Sequence, residues 1–357
     1  MEYVNLGDVA TYINGYAFKP EQRGKKGLPI IRIQDLNGNS HDLGFFDGEY
    51  PEQVEINTGD ILISWSGSLG VYKWNKGKAL LNQHIFKVLF NKVEIDKEYF
   101  CYAIRNSLSS MSQQTHGATM KHITKKDFDN ISIPYPNLDE QKKIANNLNI
   151  VNKLIMFYEK ELILFEHMVK ARFVEMFGTL DDPADEFEKA TLKKLCNKIT
   201  DGKHGGCTSE EGTQRYFVGA REIYDDEVHY DTAPEINVEE FEKDYKRCNI
   251  EIGDFLIVNT GATIGKSAIA YDERTEHTLL QKSVALLKIK KDKLNPVFLK
   301  WCYRVNTRMY MVQSASAQPN LLLSKINGTV IYVPSIERQN QFADFVQQVD
   351  KSTVDVH

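Results

Sequence analysis

Three stretches of the 357-residue chain carry residue types and spacings that chemistry could use. The first is Gly261-Ala-Thr-Ile-Gly265-Lys266-Ser267. It approaches a phosphate-binding loop, in which glycine turns open a helix N-terminus and backbone N–H groups converge on phosphate. The spacing is one residue short, and the AIAYDE after it is strand-like. A tight turn presenting polar groups fits better. The second is Asn295-Pro-Val-Phe298, one residue from the Asn-Pro-Pro-aromatic motif of adenine methyltransferases. No glycine-rich loop for S-adenosylmethionine precedes it, and Asn followed by Pro is also how helices start. The third is Asp201-Gly-Lys203 with Asp185 upstream, which could supply half of a nuclease metal site. Such a site needs carboxylates held on buried strands, and Gly202, Gly205 and Gly206 make this a loop. His116, His122, His204 and Cys207 lack ligand spacing, and no Ser–His–acid set follows from spacing. Neither a cofactor nor a metal site is expected.

What remains is a set of polar and basic residues around glycine turns, and it occurs twice. The first group contains Lys19, Arg23, Lys25, Lys26, Ser66, Ser68, Tyr72, Lys73, Thr119 and Lys121. The second contains Lys203, His204, Arg221, Thr260, Thr263, Lys266, Lys282, Ser316, Gln318 and Asn320. Lysine and arginine neutralise phosphates, while Gln, Asn, Ser and Arg read base edges. Singly, each fits a solvated surface residue; as a duplicated constellation they say more, being of the kinds that meet the phosphates and base edges of double-stranded DNA. The net charge of −5 argues against binding over the whole surface but allows patches. No apolar run reaches membrane-spanning length, and the N-terminus does not read as a secretory signal. The five cysteines form no CxxC pair, so neither a disulfide framework nor a zinc site is indicated, and a reducing cytoplasm fits.

The most regular element is Asn137 to Gly178. Apolar residues fall at Ile144, Leu148, Val151, Ile155, Tyr158, Leu162, Phe165, Val169, Phe173 and Met176, in alternating steps of four and three. That is the seam of a helix built to pair with another helix. Pro136 cannot continue it backwards, Asn137 and Glu140 form a capping box, and Gly178 is a C-terminal stop. A helix of roughly 40 residues is about 60 Å long, more than a globular core needs, which predicts a spacer.

Residues 1–136 read mostly as short strands: Pro29–Leu36, Asp60–Trp65 and Leu80–Phe90, with a turn at Ser66–Gly70. Helical spacing covers Asp96–Gln114, and a last strand covers Ile131–Pro134. After the hinge-like Asp181-Asp182-Pro183 the pattern returns. Arg215–Ile223, the strand after Gly253-Asp254, the turn Thr260–Gly265, Leu279–Ile289, a helix at Asn295–Val312 and Val330–Pro334 come in the same order. Ile336–Val349 then repeats Leu138–Val151, so that Ile144 corresponds to Phe342, Leu148 to Val346 and Val151 to Val349. The expected layout is a body at 1–136, a helix at 137–178, a second body at 179–334 and a shorter helix at 335–357. The fold class is α+β, with two duplicated mixed α/β domains separated by long coiled-coil-type helices.

This layout resembles the specificity subunits of Type I restriction–modification systems. The GDILIS and GDFLIV strands and the SGSLG and TGATIG turns carry the resemblance. So do GATMKHITKKDFDNISIPYPNLDEQKKIA and SASAQPNLLLSKINGTVIYVPSIERQNQFA. Gln318 fits the family's first glutamine, where the first copy has Met120 or Lys121; Glu140-Gln141 fits a later Glu-Gln pair, and Arg338-Gln339 fits it in part.

The resemblance implies two target-recognition domains, each reading half of a split DNA sequence. Their helices would dock methyltransferase (modification) subunits, restriction subunits (translocase and nuclease) would join them, and this chain would have no active site of its own. A related bipartite system whose partner both cuts and methylates is the alternative within the class. A stand-alone nuclease using the Asp201–Lys203 loop, or a coiled-coil scaffold without DNA binding, lies outside it. The second helix lacks a counterpart to Lys160–Gly178, and its seam fades after Val349. In the family the two helices run antiparallel. Ile144, Leu148, Val151 and Ile155 are therefore expected to lie bare and to bind a modification subunit or a second copy of the chain.

Overall fold

The computed structural model describes residues 2–40, 42–114, 124–310 and 320–354. The chain divides into two compact units, 1–156 and 157–357. In the first, β1 (Thr11–Asn14), β2 (Ile61–Ser64), β3 (Gly70–Lys73) and β4 (Ile85–Leu89) form an antiparallel sheet in the order β1-β4-β2-β3. Strand β2 is buried along its whole length, which is why it reads as a continuous apolar run. A second sheet sets Leu28–Ile31 parallel to Ala79–Leu81, and Tyr3–Asn5 pairs with Ser132–Pro134. Helix α1 (Lys97–Gln114) comes next, and then α2 (Leu138–Phe177), whose residues from Phe157 on belong to the second unit.

The second unit repeats this plan. Strands β5 (Cys196–Asp201), β6 (Phe255–Val258), β7 (Ser267–Ile269) and β8 (Val284–Ile289) lie in the order β5-β8-β6-β7. Tyr216–Val218 runs parallel to Thr278–Leu280, and Glu188–Thr191 pairs with Val330–Val333. Helices α3 (Pro296–Val305) and α4 (Ile336–Val354) complete it. The sequence repeat is thus a repeat of strand order and register direction.

Local chemistry sets the ends of these elements. The Asn137 Oδ1 accepts the Glu140 N–H at 3.0 Å at the start of α2, and Gly178 ends it at φ +72°. Asn295 caps α3 by accepting the Val297 N–H at 2.8 Å, with Pro296 as the first helical residue. That resolves the methyltransferase-like Asn-Pro-Val-Phe as a helix start.

Several expected elements differ. Pro29–Leu36 is a strand only to Ile31; Ile33–Leu36 turns helical because Asp35 accepts the Arg32 N–H at 2.8 Å and its guanidinium at 3.0 Å. Leu80–Phe90 and Leu279–Ile289 each break into two strands belonging to different sheets, at Asn82–His84 and Gln281–Ser283. His84 stands at φ +72°, which turns the chain out of the first strand. The helix expected over Asn295–Val312 ends at Val305, where the Asn306 side chain donates to the Cys302 carbonyl at 2.8 Å and a 3₁₀ turn, Thr307–Met309, takes over. Helix α4 continues past Val349 to Val354, and residues 355–357 lie outside the described ones.

The seam of α2 is buried only at its ends. Gln141 and Ala145 are buried near its start; Val169, Phe173, Met176 and Phe177 are buried near its end. There α4 runs back along it. The Phe342 ring lies 5.3 Å from Phe173 and 5.7 Å from Phe177, Arg338 donates to the Met176 carbonyl at 2.8 Å, and Val346 and Val349 share a core with Val169. Among the described residues, no helix is long and apolar enough to cross a membrane.

Candidate nucleic-acid interface

In each unit the central sheet hands over to the parallel strand pair at one junction, and a glycine makes it possible. A Cβ on Gly15 would lie 2.0 Å from the Asn82 carbonyl oxygen, and one on Gly202 would lie 2.1 Å from that of Leu280. Only a residue without a side chain lets the strands approach so closely. In the first unit Tyr16 donates its N–H to Leu81 at 2.8 Å and accepts that of Gln83 at 2.9 Å. In the second, Lys203 donates to Leu280 at 2.7 Å and accepts from Lys282 at 2.9 Å.

The turns after β2 and β6 attach to the same junction. Trp65 donates its backbone N–H to the His84 carbonyl at 3.2 Å and its indole N–H to Asn14 Oδ1 at 3.2 Å, and its ring lies edge-on to His84 at 5.0 Å. In the second unit Asn259 donates its N–H to the Ser283 carbonyl at 3.0 Å. The Ser283 hydroxyl accepts the Ala220 N–H at 3.1 Å, which ties the loop bearing Arg221 to the cluster. Thr260 forms an antiparallel bridge with Asn320, and Leu321 donates to the Asn259 carbonyl at 2.7 Å. Gly265, at φ +93°, lies so close to Tyr310 that a Cβ there would come within 2.3 Å of the ring.

The second junction therefore gathers His204, Arg221, Thr260, Thr263, Lys266, Lys282 and Asn320 around one turn. Arg221, Lys266, Lys282 and Asn320 are exposed, and among the described residues no carboxylate pairs with the three cations. Lys203 differs: its ammonium sits 2.5 Å from Asp244 and 3.7 Å from Glu240. The hydrogen bond it donates to Asp244 raises its pKa and spends its charge inside the fold.

The first unit is more dispersed. Lys19, Lys25 and Lys26 are exposed on the excursion that leaves the junction after Tyr16, while Arg23 is half-buried against Gly44. Ser68 is exposed, but Ser66 is buried. Tyr72 donates its hydroxyl to Asn37, and Lys73 pairs with Glu98. Thr119, Lys121, Ser316 and Gln318 lie outside the described residues.

The other sequence candidates are resolved locally. The Asp201 carboxylate pairs with Arg247 and lies 3.3 Å from His204, so it and Lys203 face different partners. Among the described residues, no group of three or more His, Cys, Asp or Glu side chains could hold a metal. Ser267 opens strand β7 rather than a helix, so the glycine loop before it has no helix N-terminus to offer a phosphate.

Sequence reasoning passed over Tyr16, Trp65, Gln83, His84 and Ser283. The available signal was a polar triplet interrupting an apolar run at the same place in both copies, Asn82-Gln-His84 and Gln281-Lys-Ser283.

Comparison with known proteins agrees with the duplicated plan. The family described as the Type I restriction modification DNA specificity domain matches residues 1–164 and 184–357. The chain is 26% identical to the Type I restriction enzyme EcoBI specificity subunit of Escherichia coli, over 97% of this chain and 78% of that protein. It is 23% identical to the MjaVIII specificity subunit of Methanocaldococcus jannaschii, over 98% of this chain and 86% of that one. In fold it is similar to the S subunit of a Type I system from M. genitalium. The TM-score is 0.58 at 16% identity, covering 99% of this chain and 90% of that one. A chain from a Type I complex studied for its assembly and conformational transition gives a TM-score of 0.56 at 14% identity, covering 99% and 91%.

Proposed function

The chain belongs to the family of Type I restriction–modification DNA specificity domains, and from that premise we propose that it is the specificity subunit of such a complex. Each unit reads one half of a bipartite double-stranded DNA target. The helical segments set the spacing of the halves and dock methyltransferase subunits, and a restriction subunit joins the assembly in the cytoplasm. The layout in this reading is 1–136 and 179–334 as recognition domains, with 137–178 and 335–357 as helical regions.

The observation that carries the reading is the pair of matching junctions, each built on a glycine that admits no side chain. In the second, Arg221, Lys266 and Lys282 are exposed and stand on segments tied to the junction, as does the Thr260–Asn320 bridge. Cations with no carboxylate partner among the described residues, together with the exposed Asn320 amide and the half-buried Thr260 and Thr263 hydroxyls, supply both phosphate neutralisation and base readout. Gln318, Ser316, Thr119 and Lys121 belong to the proposed DNA face through the family signature. In this reading the chain recognises DNA and leaves cutting and methylation to its partners; the nuclease alternative loses support because the Asp201 and Lys203 side chains are committed to separate ion pairs.

The test is an exchange of residues 185–333 for the equivalent segment of a relative. Methylome sequencing of cells that also carry the methyltransferase subunit should show one half of the modified sequence changed and the other kept. Changes in both halves would rule out independent reading units.

A further inference from the structure

The two strand junctions match bond for bond. In the first, Gly15 donates its N–H to the Ile85 carbonyl at 3.0 Å, Tyr16 to Leu81 at 2.8 Å, Asn82 to Ile31 at 3.0 Å, Gln83 to Tyr16 at 2.9 Å and Trp65 to His84 at 3.2 Å. In the second, Gly202 donates to Val284 at 3.2 Å, Lys203 to Leu280 at 2.7 Å, Gln281 to Val218 at 2.8 Å, Lys282 to Lys203 at 2.9 Å and Asn259 to Ser283 at 3.0 Å. Each turn is held by the same set of backbone bonds, and Gln83 corresponds to Lys282. The side chains on either side of that position are spent inside the fold. Asn82 is buried, and His84 lies edge-on to Trp65. Gln281 fills the space that a Cβ on Gly219 would need, and the Ser283 hydroxyl accepts the Ala220 N–H. In each triplet only Gln83 or Lys282 is exposed, and neither side chain has a polar partner among the described residues.

We propose that Gln83 and Lys282 are matched base-reading residues, Gln83 taking an adenine in one half of the target and Lys282 a guanine in the other. The assignment deepens the proposed function and rests on it. A side chain that reads a base needs a backbone that does not yield, because a bidentate contact tolerates little displacement. The shared backbone bonds supply that rigidity whatever side chain stands at the apex. The two copies then differ at the point where two half-sites have to differ. The Gln83 amide carries an acceptor and donors, and so meets the N6 amino group and N7 of adenine together. The Lys282 ammonium carries donors only, which suit N7 and O6 of guanine and are refused by the amino group of adenine. Phosphate neutralisation, the other use of an exposed lysine, would call for a cation in both copies, and Gln83 has no charge.

The experiment is methylome sequencing of cells carrying the full chain with its methyltransferase subunit, paired with DNA-binding anisotropy of the assembled complex. Gln83→Ala should make one A·T position of one half degenerate and leave the other half intact. Lys282→Ala should do the same to one G·C position of the other half. In each case the preference for the parent base should fall by about tenfold or more. Two exchanges should gain a new base, which misfolding cannot produce. Lys282→Gln should move its position from guanine to adenine, and Gln83→Glu should move its position from adenine to cytosine. Variants that methylate the parent sequence with unchanged preference overturn the proposal. So does a Lys282→Ala loss that is equal on specific and random DNA with the salt slope reduced by about one, which makes Lys282 a phosphate contact. A parent chain that directs no split methylated sequence refutes the proposed function itself, whereas a split sequence that none of the variants alters refutes this inference alone.

Discussion

The Gln339 side-chain carbonyl accepts the backbone N–H of Asn295 at 2.8 Å, and its amide donates to the Pro334 and Lys293 carbonyls at 2.8 and 3.0 Å. Gln141 makes the same clamp in the first unit, to Asp96 at 2.9 Å and Pro136 at 2.8 Å. Both glutamines are buried, and each ties the start of a long helix to the residue that caps the shorter helix before it. Replacing either by Leu leaves a backbone N–H and at least one carbonyl unpaired. The cost should be about 1–3 kcal/mol per clamp, seen as a lower urea midpoint with an unchanged slope. A midpoint equal to that of the parent chain would show that the amides are not structural.

The strand junctions predict a sharper effect. Gly15→Ala and Gly202→Ala each force a Cβ against a neighbouring backbone carbonyl that cannot swing away. A loss of about 3 kcal/mol or more is expected for either. Gly67→Ala is the informative control, because nothing lies within 4 Å of its Cβ and only its φ of +71° opposes the change. That variant should lose about 1 kcal/mol.

Asp35 predicts an acid-range effect. Burial alone would raise its carboxyl, but the Arg32 guanidinium, the Ser40 hydroxyl and the Arg32 N–H together hold it below the ordinary value. A carboxyl depressed in the folded state binds fewer protons there than in the unfolded chain. Its stabilisation is complete above the unfolded value of about 3.9 and drains away as pH falls through the folded one. The stability gap between the parent chain and Asp35→Asn should therefore be widest near neutral pH and close below about pH 4. Urea titrations at pH 6 and pH 3 measure it, and a gap that widens on acidification would reverse the assignment.

Lys266 and Lys203 should separate binding from folding. Lys266 is exposed with no carboxylate partner among the described residues, so Lys266→Ala should weaken specific and random DNA alike. The slope of log K against log salt should fall by about one. Lys203→Ala removes the partner of Asp244 and should lower thermal stability while leaving the salt slope in place. Fluorescence anisotropy of the assembled complex at several salt concentrations decides between the two roles.

The length of α2 should set the distance between the DNA half-sites. Deleting Glu159 to Leu162 shortens the helix by about 6 Å and turns the rest of the chain by about 40°. The methylated half-site bases should be unchanged, while the gap between them changes or binding is lost. An unchanged gap at full affinity would mean that the helix is not the ruler.

Much of this was legible in the residues alone, because it is local or periodic. Asn137, Asn295 and Gly178 mark helix ends through chemistry confined to three or four neighbours. The 40 residues of α2 announce themselves by spacing, and the duplication by its recurring order. The remainder depends on partners distant in the chain, which only folding brings together. Leu80–Phe90 looks like one strand until Ala79–Leu81 is claimed by Leu28–Ile31 and Ile85–Leu89 by Thr11–Asn14. Lys203 and Lys266 have the same side chain beside similar glycines. One is neutralised by Asp244, 41 residues away, and the other faces water. The α2 seam has a single repeat throughout, yet packing covers its ends and leaves its middle bare. Periodicity tells which side chains share a face, whereas burial depends on what the rest of the chain brings to that face.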